Sequence, residues 1–317
     1  MQIPPEVLVT EVGPRDGLQS FDRWVSTDDK LRMLGLLVDA GFRSIEVTSF
    51  VRPDVVPHLA DAEDLMGRLD KSPDVNYRAL VPNRRGAERA VAAGVDTMVA
   101  LLTVTESYGR RNQNRSPEQM LEAVADVIEV GKRTDTPVDV ALAMSFFDPY
   151  EGEVAPELVE RAVHFLSSRG ATSFYVATSV GMAHPRQVYD LCTRLLKQWP
   201  EMDLGLHLHN TNGMALANAL AAMDAGVRRF EGSICGLGGG IVMPEGLAPV
   251  GNVPTEDLVQ MLDLMGVDTG LDFELVAETS RRVAEVLSIE HASFVGRGGT
   301  RADVLRHGRE QPRVHPV

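Results

Sequence analysis

One local pattern recurs four times along the chain and restricts its fold more than any other feature. A helix-like stretch ends in glycine, and three residues later a β-rich run begins. The cases are Asp39-Ala40-Gly41 before Ser44-Ile45-Glu46-Val47 and Ala92-Ala93-Gly94 before Thr97-Met98-Val99-Ala100. Ser168-Arg169-Gly170 precedes Ser173-Phe174-Tyr175-Val176 in the same way, and Asp224-Ala225-Gly226 precedes Arg229-Phe230-Glu231. Glycine just past a helix can take the left-handed conformation that closes the last turn. A repeated helix–glycine–strand unit therefore predicts alternating β and α elements and a parallel sheet.

Eight candidate strands follow, around 7–12, 43–48, 76–81, 97–103, 138–145, 173–178, 203–209 and 228–234. Amphipathic helices fit between them, for example 27–39 with Leu31, Leu34, Leu37 and Val38 at helical spacing. Ser116-Pro117-Glu118 predicts another helix start, with a Ser cap, Pro at the first position and an acid in the first turn. Eight βα units point to an α/β chain of the (β/α)8 TIM-barrel type, with a doubly wound sheet as the runner-up. No Gly-x-Gly-x-x-Gly follows the first strand, which argues against dinucleotide binding. The stretch 272–288 predicts an extra C-terminal helix. Residues 1–290 thus read as one barrel domain. Residues 291–317, with Gly296-Arg297-Gly298-Gly299, read as a tail that is flexible, contacts another subunit or covers the barrel mouth.

Composition narrows the function. Lys and Arg number 31 against 45 Asp and Glu, a formal charge of −14, and phosphate neutralisation by a nucleic-acid binder needs a basic face instead. No apolar run approaches the roughly 20 residues of a membrane helix. The N-terminal residues lack the basic and apolar regions of a signal peptide, so the expected location is cytoplasmic. Two cysteines, Cys192 and Cys235, are too few for a disulfide framework or a cysteine-built zinc site.

In such a barrel, chemistry sits where strands end and βα loops begin. The first strand runs into Gly13-Pro14-Arg15-Asp16-Gly17, whose Arg-Asp pair is either a salt-bridged loop or part of a site. Glu46 lies inside the second strand and must face a polar mouth or an ion-pair partner, because an unpaired buried carboxylate is costly. In Leu206-His207-Leu208-His209 the period of two puts both histidines on one face, about 7 Å apart along the strand. Two imidazoles there can share a metal, whereas a single one would read as a core residue. Gly236-Leu237-Gly238-Gly239-Gly240 opens a loop that reads as a mobile lid or a plain surface loop. It ends at Asn252, a ligand or a turn residue, before the helix start Thr255-Glu256-Asp257. Together Asp16, His207, His209 and Asn252 offer two oxygens and two nitrogens, a set that suits Mg²⁺ or Mn²⁺ and admits Zn²⁺ or Co²⁺.

These segments, taken with Ile45-Glu46-Val47-Thr48-Ser49-Phe50-Val51 and His207-Leu208-His209-Asn210-Thr211-Asn212-Gly213, resemble the 3-hydroxy-3-methylglutaryl-CoA lyases and the wider family of metal-dependent barrels that includes isopropylmalate synthase. The likeness spans about residues 5–290 in order. It implies a TIM barrel, a divalent cation, and cleavage or formation of a carbon–carbon bond beside a thioester or carboxylate. It further implies that Asp16, His207, His209 and Asn252 are metal ligands, that Arg15 stabilises the enolate oxygen, and that Glu46 holds Arg15 and the ligand shell. His207 is the proton-transfer candidate. Arg110, Arg111 and Asn112 match the region where relatives hold CoA, although a solvated Arg pair would look the same; an acidic chain needs some such local basic patch for CoA phosphates. A homodimer is expected from the resemblance alone.

The chain departs from the lyase pattern in three places. Lyases carry a cysteine after Gly-Leu-Gly-Gly, where this chain has Gly240, or Met243 if counted back from Asn252. Glu245 is a candidate substitute, and Cys235 precedes the glycines and is not one. Thr178-Ser179 stands where relatives have an aspartate followed by threonine, and Gln19-Ser20-Phe21-Asp22-Arg23 where lyases carry a lysine. The expected activity is retro-Claisen or retro-aldol cleavage of a 3-hydroxyacyl-CoA or related hydroxy acid, yielding a product such as acetyl-CoA plus a carbonyl compound. The alternatives are a condensing synthase and a non-catalytic metal-binding barrel.

Overall fold

The computed structural model describes residues 1–239, 243–247 and 251–310. Its eight predicted strands are Leu8–Glu11, Ser44–Ser49, Asn76–Val81, Thr97–Thr103, Val138–Ala143, Ser173–Ala177, Asp203–His207 and Arg229–Gly232. All pair in parallel and close into a barrel, the first strand joining the eighth with Val9 opposite Phe230 and Glu11 opposite Gly232. The (β/α)8 barrel is therefore the fold, and the doubly wound alternative is excluded because the sheet has no free edge.

The four glycines of the repeat all take positive φ, +92° at Gly41, +77° at Gly94, +90° at Gly170 and +108° at Gly226. Each reverses the chain out of a helix and into a strand, which is why the pattern marks the βα units. The first helix is Thr27–Asp39, capped by the Ser26 side chain on Asp29 N–H. Pro117–Thr134 starts with Ser116 and Gln119 in a reciprocal capping box. Apolar faces of these helices bury Met33, Leu34, Leu37, Val124, Val127 and Ile128 against the outer surface of the barrel.

Inside the barrel the packing is polar. Arg78 on the third strand is fully buried, 2.8 Å from Glu231 and 3.2 Å from Asp139, with its guanidinium 4.9 Å from the centre of the Tyr175 ring. Arg229 meets Asp139 at 3.1 Å and stacks on Tyr175 at 4.5 Å. Gly205 is required beside that ring, since a Cβ there would sit 2.3 Å from a Tyr175 carbon. Burying such charges is tolerable only because each finds a partner.

The expected C-terminal helix is Phe273–Leu287. The chain then continues in helices Phe294–Gly298 and Arg301–Glu310, where composition pointed to a flexible or contact-making tail. The Asp257 carboxylate accepts the N–H groups of Phe294 and Val295 at 2.9 and 2.8 Å, which docks the first of these helices. The second buries none of its side chains. Residues 311–317 of the expected tail, and Gly240 of the lid, lie outside the described residues. No described helix is long and apolar enough to cross a membrane.

Candidate metal centre

Arg15 and Asp16 leave the first strand in a tight π-type turn, Gly13–Gly17, not an open loop. The N–H groups of Arg15, Asp16 and Gly17 all point at the Val12 carbonyl, at 3.1, 2.7 and 3.4 Å. Such turns pack successive side chains closely and recur at functional sites. Gly17 must be glycine, because a Cβ would lie 2.7 Å from Leu237 Cβ.

His207 ends the seventh strand and His209 lies two residues further on, so the pleat turns both inward. Their Nε2 atoms face each other at 3.0 Å, and His207 Nε2 is 3.9 Å from Asp16 Oδ2. Asn252 comes from a distant loop, but backbone pairing seats it: Val253 N–H donates to Leu208 O and Asn210 N–H to Gly251 O, both at 2.9 Å. Its Nδ2 donates to Asp16 Oδ2 at 2.7 Å and to Leu237 O at 3.0 Å, while its Oδ1 is buried without a partner. Asp16, His207 and His209 each offer one ligand atom within 4.8 Å of the others.

Arg15 is gripped from two sides. Its Nε and Nη2 donate to the two oxygens of Glu46 at 2.8 and 3.0 Å, and Nη1 donates to Asp16 Oδ1 at 2.7 Å. Burial disfavours the charge on Arg15, yet Glu46 and Asp16 outweigh it and raise the pKa. Burial likewise opposes charge on Asp16, but Arg15 and the two histidines hold its carboxyl well below the usual range.

One residue that was invisible as a site residue in the sequence governs the histidines. Glu231 on the eighth strand lies 2.8 Å from His207 Nδ1 and takes Arg78 on its other oxygen. Burial pushes Glu231 up, but Arg78 and His207 overcome this and bring it to about 2. An ionised Glu231 holds a proton of His207 on Nδ1 and, with Asp16, favours the charged ring against burial, so Nε2 faces inward where a proton or a cation can sit. Burial and the neighbouring His207 depress His209 to about 3, so its ring is neutral. Two inward lone pairs 3.0 Å apart repel unless a proton or cation lies between them. The donor set and the orphaned Asn252 oxygen therefore fit a divalent cation. Glu231 carries the same signal as Glu46, a carboxylate within a barrel strand, and that was the clue available in the sequence.

Other predicted residues fall elsewhere. Arg110 pairs with Glu106 at 2.7 Å on the exposed side of helix Glu106–Gln113, and Arg111 stacks on Tyr150 at 4.3 Å. Asn112 lines a cleft of about 570 Å³ together with Gln19, Arg52, Asn83 and Arg115. Thr178 acts on the backbone, accepting His209 N–H at 2.8 Å, and Ser179 accepts Met144 N–H at 2.7 Å. Met243 packs against the core and Glu245 is exposed. Cys235 is buried, and its thiol donates to Ser280 O at 3.1 Å.

Known proteins resemble this chain over nearly its whole length. The HMGL-like family model matches residues 6–283. The mitochondrial hydroxymethylglutaryl-CoA lyase of Mus musculus is 36% identical over 293 residues, 92% of this chain and 89% of that protein. A hydroxymethylglutaryl-CoA lyase of Bacillus subtilis is 35% identical over 285 residues, 90% of this chain and 94% of that protein. The solved structure of an HMG-CoA lyase from Acinetobacter baumannii, in complex with coenzyme A and 3-methylmalate, superposes with a TM-score of 0.88 at 32% identity, covering 99% of this chain and 98% of that one.

Proposed function

Because the chain belongs to the HMGL-like family and is a metal-dependent carbon–carbon lyase, we propose that it cleaves 3-hydroxy-3-methylglutaryl-CoA to acetyl-CoA and acetoacetate. The observation that carries this reading is the contact set at the barrel mouth, in which Glu46 grips Arg15, Arg15 grips Asp16, and Asp16 meets Asn252 and His207.

We assign Asp16, His207, His209 and Asn252 as the residues that hold the cation, Mg²⁺ or Mn²⁺ by donor type, with Zn²⁺ or Co²⁺ as alternatives. When bound, the cation lowers the pKa of the substrate's tertiary hydroxyl and offsets the charge that develops as the bond breaks. His207 was read both as ligand and as proton acceptor. Nδ1 is committed to Glu231, so both roles fall on Nε2, and one lone pair cannot serve both at once. We assign that atom to the cation.

Arg15 stabilises the enolate oxygen of the departing acyl group. Glu46 and Asp16 use three of its five N–H donors and fix its plane, which leaves two for an oxyanion. Glu46 is thus a positioning residue. We assign the CoA portion to the cleft lined by Asn112, Arg52 and Arg115, where Arg115 supplies local positive charge to a chain of net charge −14 and the exposed Arg52, paired with Asp54 at 2.9 Å, can add to it. Arg110 and Arg111 flank it on the helix that carries Asn112. A cytoplasmic homodimer is the form we propose for the working enzyme.

The test is mass-spectrometric product analysis of Mg²⁺- or Mn²⁺-loaded protein offered 3-hydroxy-3-methylglutaryl-CoA and longer or free-acid analogues, with His209→Ala as control. Acetyl-CoA and acetoacetate in equal amounts, absent in the control, are expected. Cleavage of an analogue alone would overturn the substrate and keep the chemistry; no cleavage with metal bound would overturn the reading.

A further inference from the structure

Behind the Gly236–Gly238 wall of the metal centre, a second group of ligand-type side chains converges that cleavage does not use. Cys235 lies in the turn Ile234–Gly236 after the eighth strand, Glu256 in the first turn of helix Thr255–Leu264, and His291 beyond the end of helix Phe273–Leu287. One sulfur, one carboxylate oxygen and one imidazole nitrogen from these residues lie within 4.8 Å of one another. Cys235 and Glu256 are buried, and the His291 side chain keeps 15% exposure.

The carboxylate is aimed at the group but only half used. Glu256 Oε2 accepts the Cys235 N–H at 3.1 Å, whereas Oε1 is buried with no partner. The nearest cationic candidate is His291 Nδ1, itself without a partner at 3.9 Å, which is too long for a hydrogen bond. An orphaned carboxylate oxygen and an orphaned imidazole nitrogen are each costly to bury, and one cation would satisfy both while drawing the Cys235 sulfur from its hydrogen bond to Ser280 O.

We propose that Cys235, Glu256 and His291 form a second cation site that takes a borderline-soft divalent ion of the zinc type, with water in the fourth position. Sulfur, nitrogen and oxygen together suit Zn²⁺ or Co²⁺, while Mg²⁺ and Ca²⁺ prefer oxygen alone. On binding, the S–H bond breaks, a sulfur–metal bond replaces it and the proton passes to solvent. Tetrahedral bonds of about 2.0–2.3 Å require only a modest closing of the present spacing, which the partly exposed His291 can supply. The site is a clasp. Ala292 N–H already donates to Cys235 O at 3.3 Å, and two residues on, Leu237 O accepts Asn252 Nδ2 at 3.0 Å. The ion would thus tie the segment after the C-terminal helix to the turn that seats a residue of the catalytic centre.

The experiment is Co²⁺ titration of chelator-stripped full-length protein, followed by absorption spectroscopy and by equivalents bound. A thiolate-to-cobalt charge-transfer band needs a sulfur ligand, and the catalytic centre has none. Two equivalents and one such band are expected. Cys235→Ser and His291→Ala should each abolish the band and remove one equivalent, while Asp16→Asn should remove one equivalent and leave the band. A single equivalent without the band overturns the proposal, as does a band that survives Cys235→Ser. If Cys235→Ser fails to fold, an unchanged band in His291→Ala overturns it instead.

Discussion

Glu231 Oε2 lies 2.8 Å from His207 Nδ1, and its other oxygen lies 2.8 Å from Arg78 Nη2. The inward lone pair of the seventh-strand histidine is therefore set by an arginine on the third strand, through a carboxylate on the eighth.

Glu231→Gln removes the charge that orients His207 and leaves Arg78 with Asp139 as its remaining carboxylate at 3.2 Å. Loss of an outer-shell partner of this kind costs about 10–100-fold in metal affinity. Weakening the buried ion pair adds about 3 kcal/mol of destabilisation. Calorimetric metal titration and denaturant unfolding of the same variant read both effects. Unchanged metal affinity would contradict the orienting role.

Arg15→Lys keeps a positive charge but loses the two-pronged contact with Glu46 at 2.8 and 3.0 Å. The expected result is a fall in kcat of about 100-fold or more, since the group acts on the developing oxyanion, together with a smaller loss of metal affinity because Arg15 also holds the Asp16 carboxylate. Steady-state kinetics at saturating metal beside metal titration separates the two, and an unchanged kcat at saturation would contradict the oxyanion role.

Gly238→Ala builds a methyl group 2.6 Å from Asn252 Nδ2 and 2.7 Å from Asn252 N. Asn252 must then move off Asp16, and metal affinity should drop by at least about tenfold. Gly298→Ala, whose Cβ meets nothing within 4 Å, is the control and should bind metal as the unaltered chain does.

Glu11 predicts a pH dependence of stability. Burial pushes its carboxyl from 4.5 up to about 8, despite hydrogen bonds from Thr255, Ile234 and Gly13. Between those values the folded chain holds a proton that the unfolded chain has released, so this group's stabilisation is complete below 4.5 and is lost as pH rises through 8. Glu11→Gln should remove a decline on the order of 3 kcal/mol across that window. Urea unfolding midpoints at pH 5 and pH 8 check it; equal slopes in both proteins would refute the assignment.

Much of the barrel and of the candidate metal centre was legible in the sequence alone. The four helix–glycine–strand repeats located strands because the need for positive φ is a local property of the backbone, and Gly41, Gly94, Gly170 and Gly226 all meet it. His207 and His209 were legible together because a strand's period of two forces both inward. Glu231 carried only the weaker signal it shares with Glu46, a carboxylate inside a strand, and Arg78 a lone charge in one. A charged residue in a strand reads the same whether it faces solvent, a helix or the barrel axis.

Local rules thus determined element type, order and the inward face of each strand, since these depend on neighbours a few residues apart. Barrel closure decided which inward residues meet. Asp16 and Asn252 are 236 residues apart in the chain and share a hydrogen bond of 2.7 Å, while His207 and Glu231 pair across adjacent strands 24 residues apart. Packing of helices Thr255–Leu264 and Phe273–Leu287 against the turn after the eighth strand brings Cys235, Glu256 and His291 to one point. No periodicity encodes such meetings, because they follow from the stagger and curvature of the closed sheet and from the helices packed on it, which only the whole set of elements defines.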